Sequence, residues 1–212
     1  MLENLFYAFS VLAESIHNGN LAENLRQQVF FNRILIPAFL DLTMLHLPHD
    51  PLLALGYCLV ELSPGDLRNG QWNFAIKTRR LRALRNLKRG MRGFGLLAGN
   101  TVIGDIWCVA PPNQQTPVRH PDLEMLGIKC AMQEMYSTDM FIAPAYRGKK
   151  LSVPFHRAFE RQLQQEGWKR DYVGYYADNL PAVRMHRALG CIELPRRRVV
   201  RVFRVVKSWQ ET

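Results

Sequence analysis

Asp139-Met-Phe-Ile-Ala-Pro-Ala-Tyr-Arg-Gly-Lys-Lys-Leu-Ser152 is the stretch on which the reading of this fold turns. It closes an apolar, strand-like run from Met135 to Ala143. It then opens a helical pattern in which Leu151, Phe155, Ala158, Phe159 and Leu163 recur at helical spacing until Gly167. The order is strand, loop, helix, and the loop mixes a glycine with Arg147, Lys149 and Lys150. The first turn of a helix leaves N–H groups unpaired and carries partial positive charge, which suits phosphate oxygens. Gly148 permits an unusual turn, the three cations complement a di- or triphosphate, and Pro154 gives up an N–H that the helix does not use.

Upstream, the run from Gly56 to Leu62 reads as a strand, and Ser63-Pro-Gly-Asp66 turns the chain into helical sequence extending to about Arg89. The cations of that segment, Arg79, Arg80, Arg82, Arg85, Lys88 and Arg89, read as a solvated helix face. Two apolar runs, Gly93 to Ala98 and Val102 to Ala110, flank Gly99-Asn100-Thr101 and predict an antiparallel hairpin. From Pro111 to about Lys129 the chain is a proline-rich loop, long enough to be functional or to carry short structure of its own. Downstream, Tyr172 to Ala177 is strand-like, Asp178-Asn-Leu-Pro181 starts a helix that Gly190 stops, and Val199 to Val206 forms a final strand.

At the other end, Leu5, Phe6, Phe9, Leu12 and Ile16, then Leu21, Leu25, Val29, Ile36 and Leu40, predict two helices split by Asn18-Gly19-Asn20. Pro37 kinks or ends the second. Residues 1–54 are thus expected to be a helical extension and residues 55–212 the principal domain.

The run from Asp139 to Ser152 resembles the strand and phosphate loop of the GNAT superfamily of N-acetyltransferases, and Asn179-x-x-Ala182-x-x-x-His186-x-x-x-Gly190 resembles that family's second signature, in the same order and at a fitting separation. In the family an Arg or Gln followed by x-x-Gly-x-Gly/Ala holds the coenzyme A pyrophosphate through backbone amides. Here Lys150 stands at the first glycine position and Ser152 at the second. The resemblance runs from about Tyr57 to about Val206. It implies an α/β (α+β) fold: a mixed, mostly antiparallel central sheet flanked by helices.

The resemblance also implies chemistry: transfer of an acyl group, acetyl or longer, from acyl-CoA to a primary amine by direct attack. Donor-binding residues carried over are Arg147, Gly148, Lys149, Lys150, Leu151 and Ser152 for the pyrophosphate. The backbone of Phe141, Ile142 and Ala143 pairs with the pantetheine arm, and donors near Ile142 polarise the thioester carbonyl. Asn179 has two roles open to it, helix N-cap and ligand to the thiol end of the coenzyme. His186 falls where many members carry a tyrosine that protonates the departing thiolate, and a histidine on a helix also serves structure. Glu134 and Asp139 are the candidate bases for the acceptor ammonium, and each is also read as a partner for one of the 28 Lys and Arg residues.

The formal charge of +10 points to anionic partners without choosing among them. A second reading keeps the fold and takes an acidic acyl-carrier protein as donor, as in enzymes that make N-acyl amino acids. A third is a non-catalytic basic binding module on the same scaffold. Nucleic acid is disfavoured, because the cations are scattered and no nucleic-acid motif appears. Four cysteines far apart fit a reducing cytoplasm, and no transmembrane run appears. Pro48 inside His46-x-x-His49 argues against a metal site. Trp107, Phe94 and Tyr136 read as core or as acceptor-pocket lining. The acceptor is expected to be a small-molecule or peptide amine.

Overall fold

A computed structural model describes residues 30–46, 49–111, 115–203 and 205–211. The first predicted helix, with its Asn18-Gly19-Asn20 break, lies outside them.

The second predicted helix is corrected from Phe30 onward, residues 21–29 of it lying outside the described residues. Phe30–Asp41 is a twelve-residue strand, β1, not a helix, and it lies inside the sheet rather than in an extension. Its residues are apolar on both faces because both are covered, so the period-2 alternation of a one-sided strand is lost and the run mimics helical spacing. Pro37 shows how the strand tolerates an imino acid. Leu42 N–H donates to Lys169 C=O and Ala177 N–H to Ile34 C=O, so even-numbered residues of β1 bond one neighbour and odd-numbered residues face the other. On that other side the partner changes just there, from a strand ending opposite Leu35 to a second beginning opposite Ala38. Pro37 has no N–H to place in that gap, and its carbonyl accepts from Leu194 N–H at 2.8 Å.

The remaining elements, in chain order, are β2 (Cys58–Leu62), α1 (Pro64–Arg68), β3 (Asn73–Phe74), α2 (Lys77–Lys88), β4 (Arg92–Ala98), β5 (Thr101–Val109), α3 (Pro121–Leu126), β6 (Glu134–Ile142), α4 (Ser152–Gln165), β7 (Arg170–Tyr176), α5 (Leu180–Ala188), β8 (Ile192–Glu193), β9 (Arg197–Val202) and β10 (Val205–Gln210). The helix predicted up to Arg89 is thus two helices with a two-residue strand between them, the long loop carries α3, and the tail is a hairpin rather than one strand.

Strand order is β10-β9-β1-β7-β6-β5-β4-β2, with β3 on β5 and β8 on β1. Every adjacent pair on that path is antiparallel except β6 and β7. This is a mixed, mostly antiparallel sheet flanked by helices. On one face α4 packs Phe155, Phe159 and Leu163 against Phe94, Ile106 and Met135, and α5 packs Val183 against Ile36, Ala38 and Val173. Burying each such side chain contributes about 1.5–3 kcal/mol. On the other face Leu67 of α1 and Ala83 of α2 meet Trp107 and Val102, and α3 sets Leu123 and Leu126 on Tyr136 and Val199. Trp107, Phe94 and Tyr136 are therefore core.

Candidate functional site

Parallel strands β6 and β7 pair only through Glu134↔Arg170, Met135↔Asp171 and Tyr136↔Tyr172. Beyond that rung they part, although β6 continues to Ile142 and β7 to Tyr176. The V-shaped gap, closed above by the start of α4 and at the side by α5, is a cleft of about 720 Å³, within the roughly 300–1,000 Å³ usual for ligand sites.

What drives the strands apart is a bulge in β6. Asp139 sits at φ 54, in the left-handed region inside a strand, and the β5–β6 register slips between Asp105 and Trp107. Gly104 on β5 makes room for it, since a Cβ there would lie 2.7 Å from the Phe141 carbonyl oxygen. The bulge turns the Asp139 carboxylate to Arg79 (3.2 Å) and Arg82 (2.7 Å) on α2. Arg79 is also bonded to Asp105, which accepts from Trp107 Nε1 as well. The cations of α2 are thus not all a solvated face: Arg79 is buried and is the hub of an ion cluster behind the cleft.

The mouth of the cleft is the quoted loop. Gly148 (φ 77) and Lys150 (φ 57) both adopt left-handed backbone, so Lys150 takes the conformation that a glycine would hold at its place. No side chain caps α4, whose first intrahelical bond runs from Phe155 N–H to Leu151 C=O. By contrast α1 and α5 are capped by Ser63 and Asn179. The loop cations flank this open end: Lys149 Nζ lies 4.7 Å from the Tyr146 ring centre, and Arg147 stands over Phe141 at 5.6 Å. Arg147 Nε also donates to the Ile142 carbonyl at 3.0 Å.

The expected free backbone edge of Phe141, Ile142 and Ala143 is narrower than the sequence suggested. Ala143 N–H is used by Ile103 C=O on β5, which by alternation sends Phe141 toward β5 too and leaves Ile142 facing the gap. With its carbonyl taken by Arg147, Ile142 offers its N–H.

Cleft residues include Asp139, Phe141, Ile142, Arg147, Gly148, Lys150, Leu151, Ser152, Asn179 and His186. Asn179 caps α5 by accepting from Ala182 N–H at 3.4 Å while lining the cleft. Glu134 stands apart: it is bonded to Arg170 (2.7 Å) and to Ala131 N–H (2.6 Å) at the closed root of the V. Both candidate bases therefore already have partners.

His186 stacks on Tyr175, with ring centres 4.5 Å apart and planes 9° from parallel. Burial, helped by charge on the neighbouring His156, pushes its pKa down to about 3, so it is a neutral imidazole at ordinary pH.

Beneath it lies a group the sequence reading missed. His156 and Glu160 of α4 and Asp171 of β7 are each at most 2% exposed. Spaced i and i+4, His156 and Glu160 interrupt the apolar stripe of Phe155, Phe159 and Leu163, which is the sequence signal that points to them. Burial, opposed chiefly by charge on His156, pushes the Asp171 carboxyl up to about 7, and neither carboxylate oxygen has a hydrogen-bond partner. Because its folded pKa exceeds the ordinary 3.8, the unfolded chain loses this proton first, and stability falls as pH rises from about 4 to about 7. Asp171→Asn is accordingly expected to stabilise the fold at neutral pH and to leave it unchanged near pH ~4. Urea unfolding at both pH values checks this, and an equal gain at both would contradict it.

Several solved structures share this architecture. A GCN5-related glucosamine N-acetyltransferase region of a fungal multi-domain GH3 β-N-acetylglucosaminidase aligns at TM-score 0.57 and 12% identity over 84% of this chain and 22% of that one. A GNAT-family putative acetyltransferase from Novosphingobium aromaticivorans aligns at TM-score 0.50 and 16% identity over 86% of this chain and 66% of that one. A GNAT-family acetyltransferase from Colwellia psychrerythraea aligns at TM-score 0.50 and 13% identity over 81% of this chain and 56% of that one. This chain thus spans less than two thirds of each of these chains. No protein-family model matches the sequence. No curated protein matches it either. The likenesses establish the fold, which is that of the GNAT acetyltransferases.

Proposed function

We propose that the protein is an N-acyltransferase that binds acyl-CoA between β6 and β7 and passes the acyl group directly to a primary amine. The observation that carries this reading is the conjunction of parted strands with an uncapped, cation-flanked helix start at the mouth of the gap. Amides at Leu151 and Ser152, with Arg147, Lys149 and Lys150, hold the diphosphate. The pantetheine arm lies along β6 and takes the Ile142 N–H, and Asn179 bonds the arm near its thiol end.

Asp139 and Glu134 act in this reading as structural acids, because each is already ion-paired. His186 borders the thiol end as a neutral hydrogen-bond donor. The acyltransferase unit includes β1, since β1 is an inner strand of the sheet. Likeness to the glucosamine N-acetyltransferase region, whose name gives an amino sugar as acceptor, favours a small-molecule amine.

Turnover tests this. Purified protein is given acetyl-CoA, long-chain acyl-CoA or acylated carrier protein with a panel of primary amines, and products are read by mass spectrometry. Amide formation from a CoA thioester is expected. Amide formation from carrier protein alone moves the donor assignment, and no transfer from any donor, with binding that collapses at moderate salt, returns the protein to a non-catalytic role.

A further inference from the structure

At the root of the cleft, where β6 and β7 stop pairing, His156 Nδ1 lies 2.8 Å from Glu160 Oε1, and Glu160 Oε2 accepts from Arg157 Nη1 at 2.8 Å. Arg157 is tied in turn to the Leu189 carbonyl at the end of α5. The second ring nitrogen of His156, Nε2, has no partner among the described residues, and the ring borders the cleft. It meets His186 edge to face, with centres 5.5 Å apart and planes at 84°. One histidine of this pair has a buried carboxylate behind it, and the other meets, among the described residues, Cys191 Sγ at 3.7 Å and the Tyr175 ring.

We propose that His156, hydrogen-bonded to Glu160, is the acid that protonates the departing coenzyme thiolate, in place of the side chain at position 186. This rests on the acyl-CoA reading of the cleft. The charged groups facing His156 are Glu160 and Arg157 on α4 and Asp171 on β7, with neutral His186 from α5 and Ser137 on β6 beside them. Burial alone would lower the His156 pKa, but the charge and hydrogen bond of Glu160 outweigh it and raise the value, with Asp171 adding to the rise. Charge on His156 is in turn part of what keeps His186 neutral.

The step balances within the site. The free amine attacks the thioester carbon, giving a tetrahedral adduct with an anionic oxygen and a cationic nitrogen. Its C–S bond breaks as the carbonyl re-forms, and sulfur takes the proton from His156 Nε2. The amide nitrogen then loses its extra proton to His156, which restores the imidazolium. The proton first shed by the acceptor ammonium goes to solvent. Glu160 is a positioning residue, since it fixes the tautomer and charge of His156 without meeting the substrate.

The test compares the parent with His156→Gln, His186→Gln and Glu160→Gln. For His156→Gln, kcat is expected to fall about 10²–10⁴-fold, the range of general acid catalysis, with donor KM changed less than about threefold and the alkaline limb of the kcat profile lost. His186→Gln should lose no more than about tenfold, and Glu160→Gln should shift the alkaline limb to lower pH. A His156→Gln enzyme that melts like the parent and keeps kcat and its pH profile overturns the proposal, as does a larger loss in His186→Gln. If His156→Gln does not fold, imidazole ¹⁵N spectra of the parent decide. A His156 signal that stays protonated above the ordinary histidine range and moves on adding CoA-SH supports the assignment, and one that is neutral or unmoved overturns it. A parent that binds CoA-SH but transfers no acyl group to any amine sinks the transferase reading itself, and this proposal with it.

Discussion

Replacing Arg79 with methionine is expected to destabilise the fold by about 3–5 kcal/mol, the usual cost of removing one partner from a buried ion cluster. Arg79 is 7% exposed and Asp105 1%. Methionine fills much of the same volume, so the loss is electrostatic: Asp105 keeps its Trp107 Nε1 bond at 2.7 Å but faces no cation, and Asp139 retains only Arg82. The site suffers as well, because Asp139 is the residue whose left-handed backbone makes the bulge that parts β6 from β7, and Arg79 lies 4.5 Å over the Phe141 ring. Urea denaturation of the variant checks the figure. Adding Asp105→Asn to Arg79→Met is expected to recover part of the loss, since the orphaned charge is then gone. A single-variant loss below about 1 kcal/mol would show that the cluster contributes little.

The joint change Arg147→Ala and Lys149→Ala is expected to raise the donor KM about 10–100-fold, with acceptor KM and kcat at saturating donor changed far less. Discounted for solvent screening of exposed side chains, the two contacts together supply about 1.4–2.8 kcal/mol, and 1.4 kcal/mol is a factor of ten. Both side chains are exposed, Arg147 on the cleft lining and Lys149 next to lining residues Gly148 and Lys150, so their removal costs the fold little. Arg147 has a second duty through its bond to the Ile142 carbonyl, so the single Lys149→Ala variant isolates the diphosphate contribution. Initial-rate kinetics over both substrates separate the two constants, and an unchanged donor KM would remove the phosphate assignment.

Much of this was legible in the residues. The strand, loop and helix from Met135 to Gly167, the hairpin about Gly99-Asn100 and the Asn179 helix start all lie where local turn and cap chemistry agrees with periodicity. β1 was not legible, because an inner strand buried on both faces loses its alternation, and only Pro37 spoke against a helix. Nor was the placement of Arg79. Asp105 and Asp139 lie 26 and 60 residues from it, and nothing local distinguishes it from the other cations of α2. The cationic loop before α4 was readable because its turn and helix start are set locally. The His156–Glu160 pair beneath the cleft was not, since its surroundings depend on β7 and α5 meeting α4.

The most direct test of the diphosphate site is a calorimetric titration of the parent and of Arg147→Ala/Lys149→Ala with CoA and with pantetheine, which lacks the diphosphate and nucleotide. The parent should bind CoA at least about 50-fold more tightly than pantetheine, and the variant should lose most of that ratio while its pantetheine affinity holds. Equal affinity of the parent for the two ligands, or a ratio untouched in the variant, would contradict a diphosphate held at the start of α4.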